Sequence, residues 1–177
     1  NWAVGSASFW DKETGEIETW GGFFGIGTDY TEFSLYRYNS DTQMGFYFND
    51  VVAIFNPVTS IYDETWHHVL INWNQSATES YLYIDGIFQG TETISGSDPS
   101  PATNNNMYIG RINQGATHHH SGGTIDDFKI YNYARTPAQI AWDYNKGKPI
   151  AHWKFDECSG SVIHDESGNG NHGALVL

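Results

Sequence analysis

Residues 66–90 read WHHVLINWNQSATESYLYIDGIFQG, and this stretch decides the fold class. Through its first half the side chains alternate: Val69, Ile71 and Trp73 form one face, His68, Leu70 and Asn72 the other. Successive side chains of an extended strand point to opposite faces, so this period of two predicts a strand over 66–74. Two further runs, 80–85 and 87–94, meet at Asp85-Gly86, a dipeptide suited to a tight hairpin because glycine accepts a positive φ.

The same texture extends in both directions. Runs rich in Tyr, Phe, Val, Ile and Thr, broken by Gly, Asn, Asp and Ser, predict strands near 3–11, 20–26, 31–38, 43–48, 51–56, 106–112, 123–132 and 150–156. Within 31–38, Phe33, Leu35 and Arg37 point one way while Tyr36 and Tyr38 point the other. Strands with two distinct faces suit two sheets stacked face to face. Only one segment reads as helical. Thr136 can cap it, Pro137 suits its first turn, Gln139 stands three residues after the cap, Ala138, Ile140, Ala141 and Tyr144 form an apolar stripe, and Gly147 ends it. Segments 11–19, 95–105 and 112–123 read as loops.

Composition narrows the function classes. The chain has 177 residues, 7 Trp, 11 Tyr and 10 Phe, and 21 acidic against 8 basic residues, for a net charge of −13. That length suits one domain with a sizeable core. Such a charge excludes nucleic acid, which needs a basic surface to displace phosphate counterions, and it disfavours an anionic membrane surface. No apolar run is long enough for a membrane-spanning helix. The single cysteine, Cys158, rules out an internal disulfide framework. The chain opens at Asn1-Trp2-Ala3-Val4 without an initiator methionine, and is expected to be a piece of a longer polypeptide.

Three blocks carry a family resemblance: residues 66–90; Met107-Tyr-Ile-Gly with 123–140 (GTIDDFKIYNYARTPAQI); and Ala151-His-Trp-Lys-Phe-Asp-Glu with Ser167-Gly-Asn-Gly-Asn-His-Gly. Together they resemble laminin G-like, concanavalin A-like domains of the lectin and glucanase type, common in secreted bacterial proteins. The resemblance implies an all-β, antiparallel two-sheet jelly-roll β-sandwich with one short helix, a single domain over 1–177, and an extracellular or cell-surface setting. The order of the blocks departs from the family. Residues 150–177 look like the opening segment of such a domain, yet come last. Either they fold back to complete the sandwich, or they begin a tandem neighbour and exchange between chains as in a strand-swapped homodimer.

Catalysis finds little support. A retaining glycosidase of this shape needs two carboxylates about 5–5.5 Å apart, hence acidic residues at spacing two or four on one strand face. The nearest candidate, Glu16-Ile17-Glu18, lies in a turn-like segment, and Asp126 and Asp127 are adjacent. No nucleophile elbow or phosphate-cradling glycine loop occurs. The run His118-His119-His120 offers imidazoles for a transition metal, but flanked by glycines it reads first as a solvated loop. Sandwiches resembling this one often carry a calcium ion near a sheet edge. Calcium wants six to eight oxygens, for which Asp126, Asp127 and Asp156 are the candidates. The turn from Asp165 is oxygen-rich too, but lacks the spacing of a calcium loop and reads as an Asx turn.

Sugar rings present apolar C–H faces that stack on exposed Trp or Tyr. Trp10, Phe33, Trp66, Trp73, Phe128 and Trp153 are assigned to the core. Trp20, Tyr30, Tyr36, Tyr38 and Tyr47, with Arg37 beside them, remain as candidate carbohydrate contacts. The leading expectation is thus a non-catalytic, calcium-stabilised module binding a polysaccharide or other glycan. A structural or adhesive protein-interaction module is second, a glycan-cleaving enzyme third.

Overall fold

The computed structural model describes residues 2–13, 20–27, 32–39, 42–97, 106–114, 116–146, 148–149 and 151–174. Its elements in chain order are β1 (Val4–Glu13), β2 (Gly22–Ile26), β3 (Phe33–Arg37), β4 (Met44–Phe48), β5 (Val51–Phe55), β6 (His67–Asn74), β7 (Glu79–Ile84), β8 (Ile87–Thr93), β9 (Met107–Ile109), β10 (Arg111–Gln114), β11 (Thr117–His120), β12 (Gly123–Tyr131), α1 (Pro137–Asn145), β13 (Val162–Ile163) and β14 (Gly173–Ala174). Five strands form one sheet in the order β12-β1-β6-β7-β8. Seven form the other, in the order β10-β11-β2-β3-β4-β5 with β9 also paired to β2. The architecture is a jelly-roll β-sandwich built mostly from antiparallel pairs.

The alternation read from residues 66–90 places Val69, Ile71 and Trp73 in the buried layer between the sheets, where Trp73 meets Phe33 of β3 edge-on with ring centroids 5.0 Å apart. Phe9 of β1 packs likewise against Phe23 and Phe24 of β2. Each large apolar side chain so removed from water contributes about 1.5–3 kcal/mol. The β7–β8 hairpin turns at Asp85 and Gly86, with φ of 53° and 76°, as the dipeptide predicts. The helix starts with the full capping box: Thr136 accepts from the Gln139 backbone N–H, and Gln139 returns a side-chain acceptor to the Thr136 N–H. It closes on Lys146, which takes the left-handed conformation itself; Gly147, the expected terminator, lies outside the described residues.

Three expectations are corrected. Residues 117–120, read as loop, form β11, because the histidine run pairs antiparallel with Arg111–Gln114. Trp66 and Trp153, assigned to the core, are 43% and 40% exposed, and Trp10, assigned with them, lies half-buried on the face of β1 opposite Phe9, since period two cannot say which face a second layer covers. Of the strand expected over 150–156, the described residues 151–156 form no strand in either sheet. In the described stretch 151–174, β13 pairs with β14 and Trp153 bridges to Asp165, so the segment closes on itself and leaves Phe155 71% exposed. In the single chain it does not complete the sandwich.

Candidate functional site

Four of the sequence-derived carbohydrate candidates converge on the outer face of the seven-stranded sheet. Tyr36 and Tyr47 lie on neighbouring strands with rings 5.7 Å apart and 11° from parallel. Trp20 stacks against Tyr36 at 6.0 Å, and Tyr38 meets Trp20 edge-on at 5.3 Å. The floor is made for this. Gly45 stands opposite Tyr36 in the β3–β4 register, and a Cβ there would lie only 2.7 Å from the Tyr36 Cζ. Glycine lets the ring lie down on the neighbouring strand, and Trp20, Tyr38 and Tyr47 gather round it. Beside Trp20 a small cleft of about 160 Å³ is lined also by Ile112, Gln114 and His119.

Two of the candidates do not reach the surface. Tyr36 is fully buried, so it supports the stack from within instead of offering a ring to solvent. Arg37 follows Phe33 and Leu35 to the inner face; its guanidinium lies 4.9 Å above the Tyr62 ring, and it too is buried. Tyr30 lies outside the described residues. Half-exposed aromatic surface therefore belongs to Trp20, Tyr38 and Tyr47.

The calcium candidates Asp126, Asp127 and Asp156 lie on two separate segments, β12 and the C-terminal stretch. Asp127 takes a left-handed φ of 51° at a bulge in the β1–β12 pairing and its carboxylate binds the Lys129 ammonium at 2.5 Å. Asp126 accepts the Asp127 backbone N–H, and Asp156 lies on the exposed C-terminal segment. Among the described residues no three His, Cys, Asp or Glu side chains are arranged to hold a metal ion. As a strand, the three-histidine run sends His119 to the face opposite His118 and His120. Asp165 acts as the Asx turn, accepting from Ser167 N, Ser167 Oγ, Asn171 N and His152 N. Partial burial would raise its pKa, but those hydrogen bonds win and hold the carboxyl far below its usual range.

Sequence reasoning missed a polar cluster between the sheets. Asp11 and Glu13 continue the inward-facing row of Ala7 and Phe9 on β1, and both are buried. Neither oxygen of Asp11 has a hydrogen-bond partner among the described residues. Burial, then the nearby Glu13 charge, push its carboxyl up to about 8 despite the opposing pull of His67. Burial also raises Glu13, though Arg37 and the Gly122 backbone pull the other way. Burial alone would lower His67, but its ring lies between Asp85 Oδ2 at 2.7 Å and Asp63 Oδ1 at 2.9 Å, and these contacts hold its pKa above the ordinary value. The signal was available in the spacing, because Asp-Lys-Glu at 11–13 keeps the parity of Ala7 and Phe9. Facing inward and shut from solvent, the two carboxylates have no access to a glycosidic bond.

A jelly-roll sandwich with a stacked aromatic group on one outer face defines the class of protein to which this chain is similar. The family model of the concanavalin A-like lectin/glucanases superfamily matches residues 5–141, and the chain belongs to that family. Comparison with curated proteins finds no match. Among solved structures, a SAP-like pentraxin from Limulus polyphemus is similar at 18% identity and a TM-score of 0.65, over 98% of this chain and 83% of that one. Domain 4 of an extracellular arabinanase from Geobacillus stearothermophilus, in complex with arabinotriose, gives 20% and 0.59, over 78% and 65%. The CBM40 of the Ruminococcus gnavus IT-sialidase, bound to α2,3 sialyllactose, gives 15% and 0.63, over 78% and 82%. At such identities the likeness establishes the fold.

Proposed function

We propose that the chain is a non-catalytic, extracellular glycan-binding module, with saccharide stacking on the outer rings of the Trp20–Tyr36–Tyr47 group. The observation that carries this reading is the stack itself. Glycine at position 45 and a buried Tyr36 hold Trp20 and Tyr47 as fixed, half-exposed platforms, so little side-chain entropy is lost when a sugar face settles on them. Gln114 and His119 beside Trp20 supply polar groups for ring hydroxyls. The arabinotriose and sialyllactose complexes of two similar folds agree with this class of ligand. The non-catalytic reading is supported by Asp11 and Glu13, a described acidic pair at spacing two that is sealed in the interior; Glu16 and Glu18 lie outside the described residues. Trp20→Ala should abolish retention on an immobilised glycan while leaving the melting temperature within a few degrees; retention unaffected by that change refutes the site.

A second reading draws on the C-terminal segment. Trp153, Phe155 and Val162 are exposed, and such a run of apolar side chains fits an adhesive role in which the segment packs against a neighbouring domain or a second chain. Sedimentation at micromolar concentration tests it: a dimer lost on Phe155→Ser supports exchange between chains, and a monomer throughout argues against it.

A further inference from the structure

A cavity opens on the other sheet, beside Trp10 of β1. It measures about 570 Å³ and is lined by Trp10, Trp66, Tyr144, Asp126, Lys146 and Lys148, with the turn at Ser167–Asn169 forming the far wall. That volume falls within the range of small-molecule sites. Trp10 projects from the outer face of β1, opposite in parity to Phe9 and Asp11, and Tyr144 of the helix stacks on it with centroids 5.9 Å apart and planes 23° from parallel. Trp66, just before β6, adds an indole that is 43% exposed. Buried His68 backs Trp10 at 5.4 Å, so the platform is fixed from behind.

The charges are unusual for this chain. Lys146 and Lys148 are two of only 8 basic residues in a protein of net charge −13, and both stand at this cavity. Neither makes an ion pair among the described residues, whereas the other cations nearby are committed: Lys129 to Asp127 at 2.5 Å and Arg135 to Asp143 at 2.6 Å. Among the described lining residues Asp126 is the one carboxylate, and it accepts a backbone N–H. Lys146 also occupies a costly position. It closes the helix at φ 50°, ψ 35°, where glycine or asparagine is usual, and its Nζ sits 5.5 Å from the Trp10 ring centroid. A strained lysine held over an aromatic wall fits a functional demand better than a capping one.

From this geometry we infer a second ligand site, selective for a carboxylate-bearing sugar whose ring lies on Trp10 and Trp66 and whose anion meets Lys146 and Lys148. An acidic surface repels such a ligand within roughly a Debye length, so a local pair of uncommitted ammonium groups is what admits it. The Trp20 stack is on the opposite sheet and is not needed for this site, so the two stand or fall separately.

Trigalacturonate and its neutral methyl ester are the probes, with the protein's indole N–H resonances followed by NMR titration. The indoles of Trp10 and Trp66 should shift with trigalacturonate, while those of Trp20 and Trp73 stay still. The methyl ester, and the variant Lys146→Gln with Lys148→Gln, should each bind about five- to tenfold more weakly, the scale of two exposed ion pairs. Trp66→Ala should weaken acid binding without lowering the melting temperature appreciably, because the side chain already stands in solvent. Equal affinity for the acid and its ester overturns the inference, as does the absence of any Trp10 or Trp66 shift at millimolar trigalacturonate.

Discussion

The two outer faces of the sandwich carry aromatic groups of the same chemistry under opposite constraints. On the seven-stranded sheet, Tyr36 is pressed flat over Gly45 and covered by its neighbours, and the strand beneath, β3, sends Phe33 and Leu35 into an apolar core. On the five-stranded sheet, Trp10 and Trp66 border an open cavity, and the strand beneath, β1, sends Asp11 inward with neither oxygen hydrogen-bonded among the described residues. One face is a filled surface on a settled support. The other is a hollow on an electrostatically costly one. Aromatic content alone does not distinguish them; what lies on the reverse side of each strand does.

Changing pH acts on the second support and should produce the largest effect. Asp11 titrates near 8 in the folded chain against an ordinary 3.8, so between those values the folded state holds a proton that the unfolded state has released. Stability therefore falls as pH rises through this window, by on the order of 5 kcal/mol if Asp11 acts alone. His67 works in the same sense, because its raised pKa stabilises the fold at low pH and that contribution is lost as pH rises through it. Denaturant titrations at pH 5 and pH 9 should show the loss, and Asp11→Asn should remove most of it. A wild-type stability independent of pH would mean that Asp11 is compensated.

The first support is tested sterically. Gly45→Val places carbon within 2.7 Å of the Tyr36 ring and should cost about 1–3 kcal/mol in chemical denaturation, with loss of the near-ultraviolet dichroism of the stack. A silent Gly45→Val would show that Tyr36 is free to move and that the platform is not fixed. The smallest effect concerns the C-terminal turn that walls the cavity. A chain ending at Pro149 should still unfold cooperatively, with a midpoint changed by about 1 kcal/mol or less, since residues 151–174 pair with themselves. Loss of the cooperative transition would instead make the segment an integral part of the sandwich.

Much of this was legible in the sequence, and the remainder has physical reasons. Alternation in 66–74, the Asp85-Gly86 turn and the capping box at Thr136 and Gln139 are local signals whose cause lies within a few residues, and each appears where it was read. That Tyr36 and Tyr38 share the parity opposite to Leu35 was legible too, whereas their meeting with Trp20 and Tyr47 depends on neighbouring strands and was not. The burial of Tyr36 was not, because it depends on a glycine opposite it on the next strand. Arg37 and Asp11 were hidden by polarity: charged residues at core parity look like surface until the other sheet is in place. The cavity was invisible for a similar reason, its walls coming from residues 10, 66, 126, 144–146, 148 and 167–169, far apart in the chain.

Glycan binding through the stack is tested most directly by screening the intact protein and its Trp20→Ala variant against an array of neutral and acidic polysaccharides. The account predicts retention of at least one glycan by the wild type and loss of a neutral-glycan signal in the variant, with both proteins melting alike. An intact protein that retains no glycan, or a variant whose binding profile matches the wild type, would contradict it.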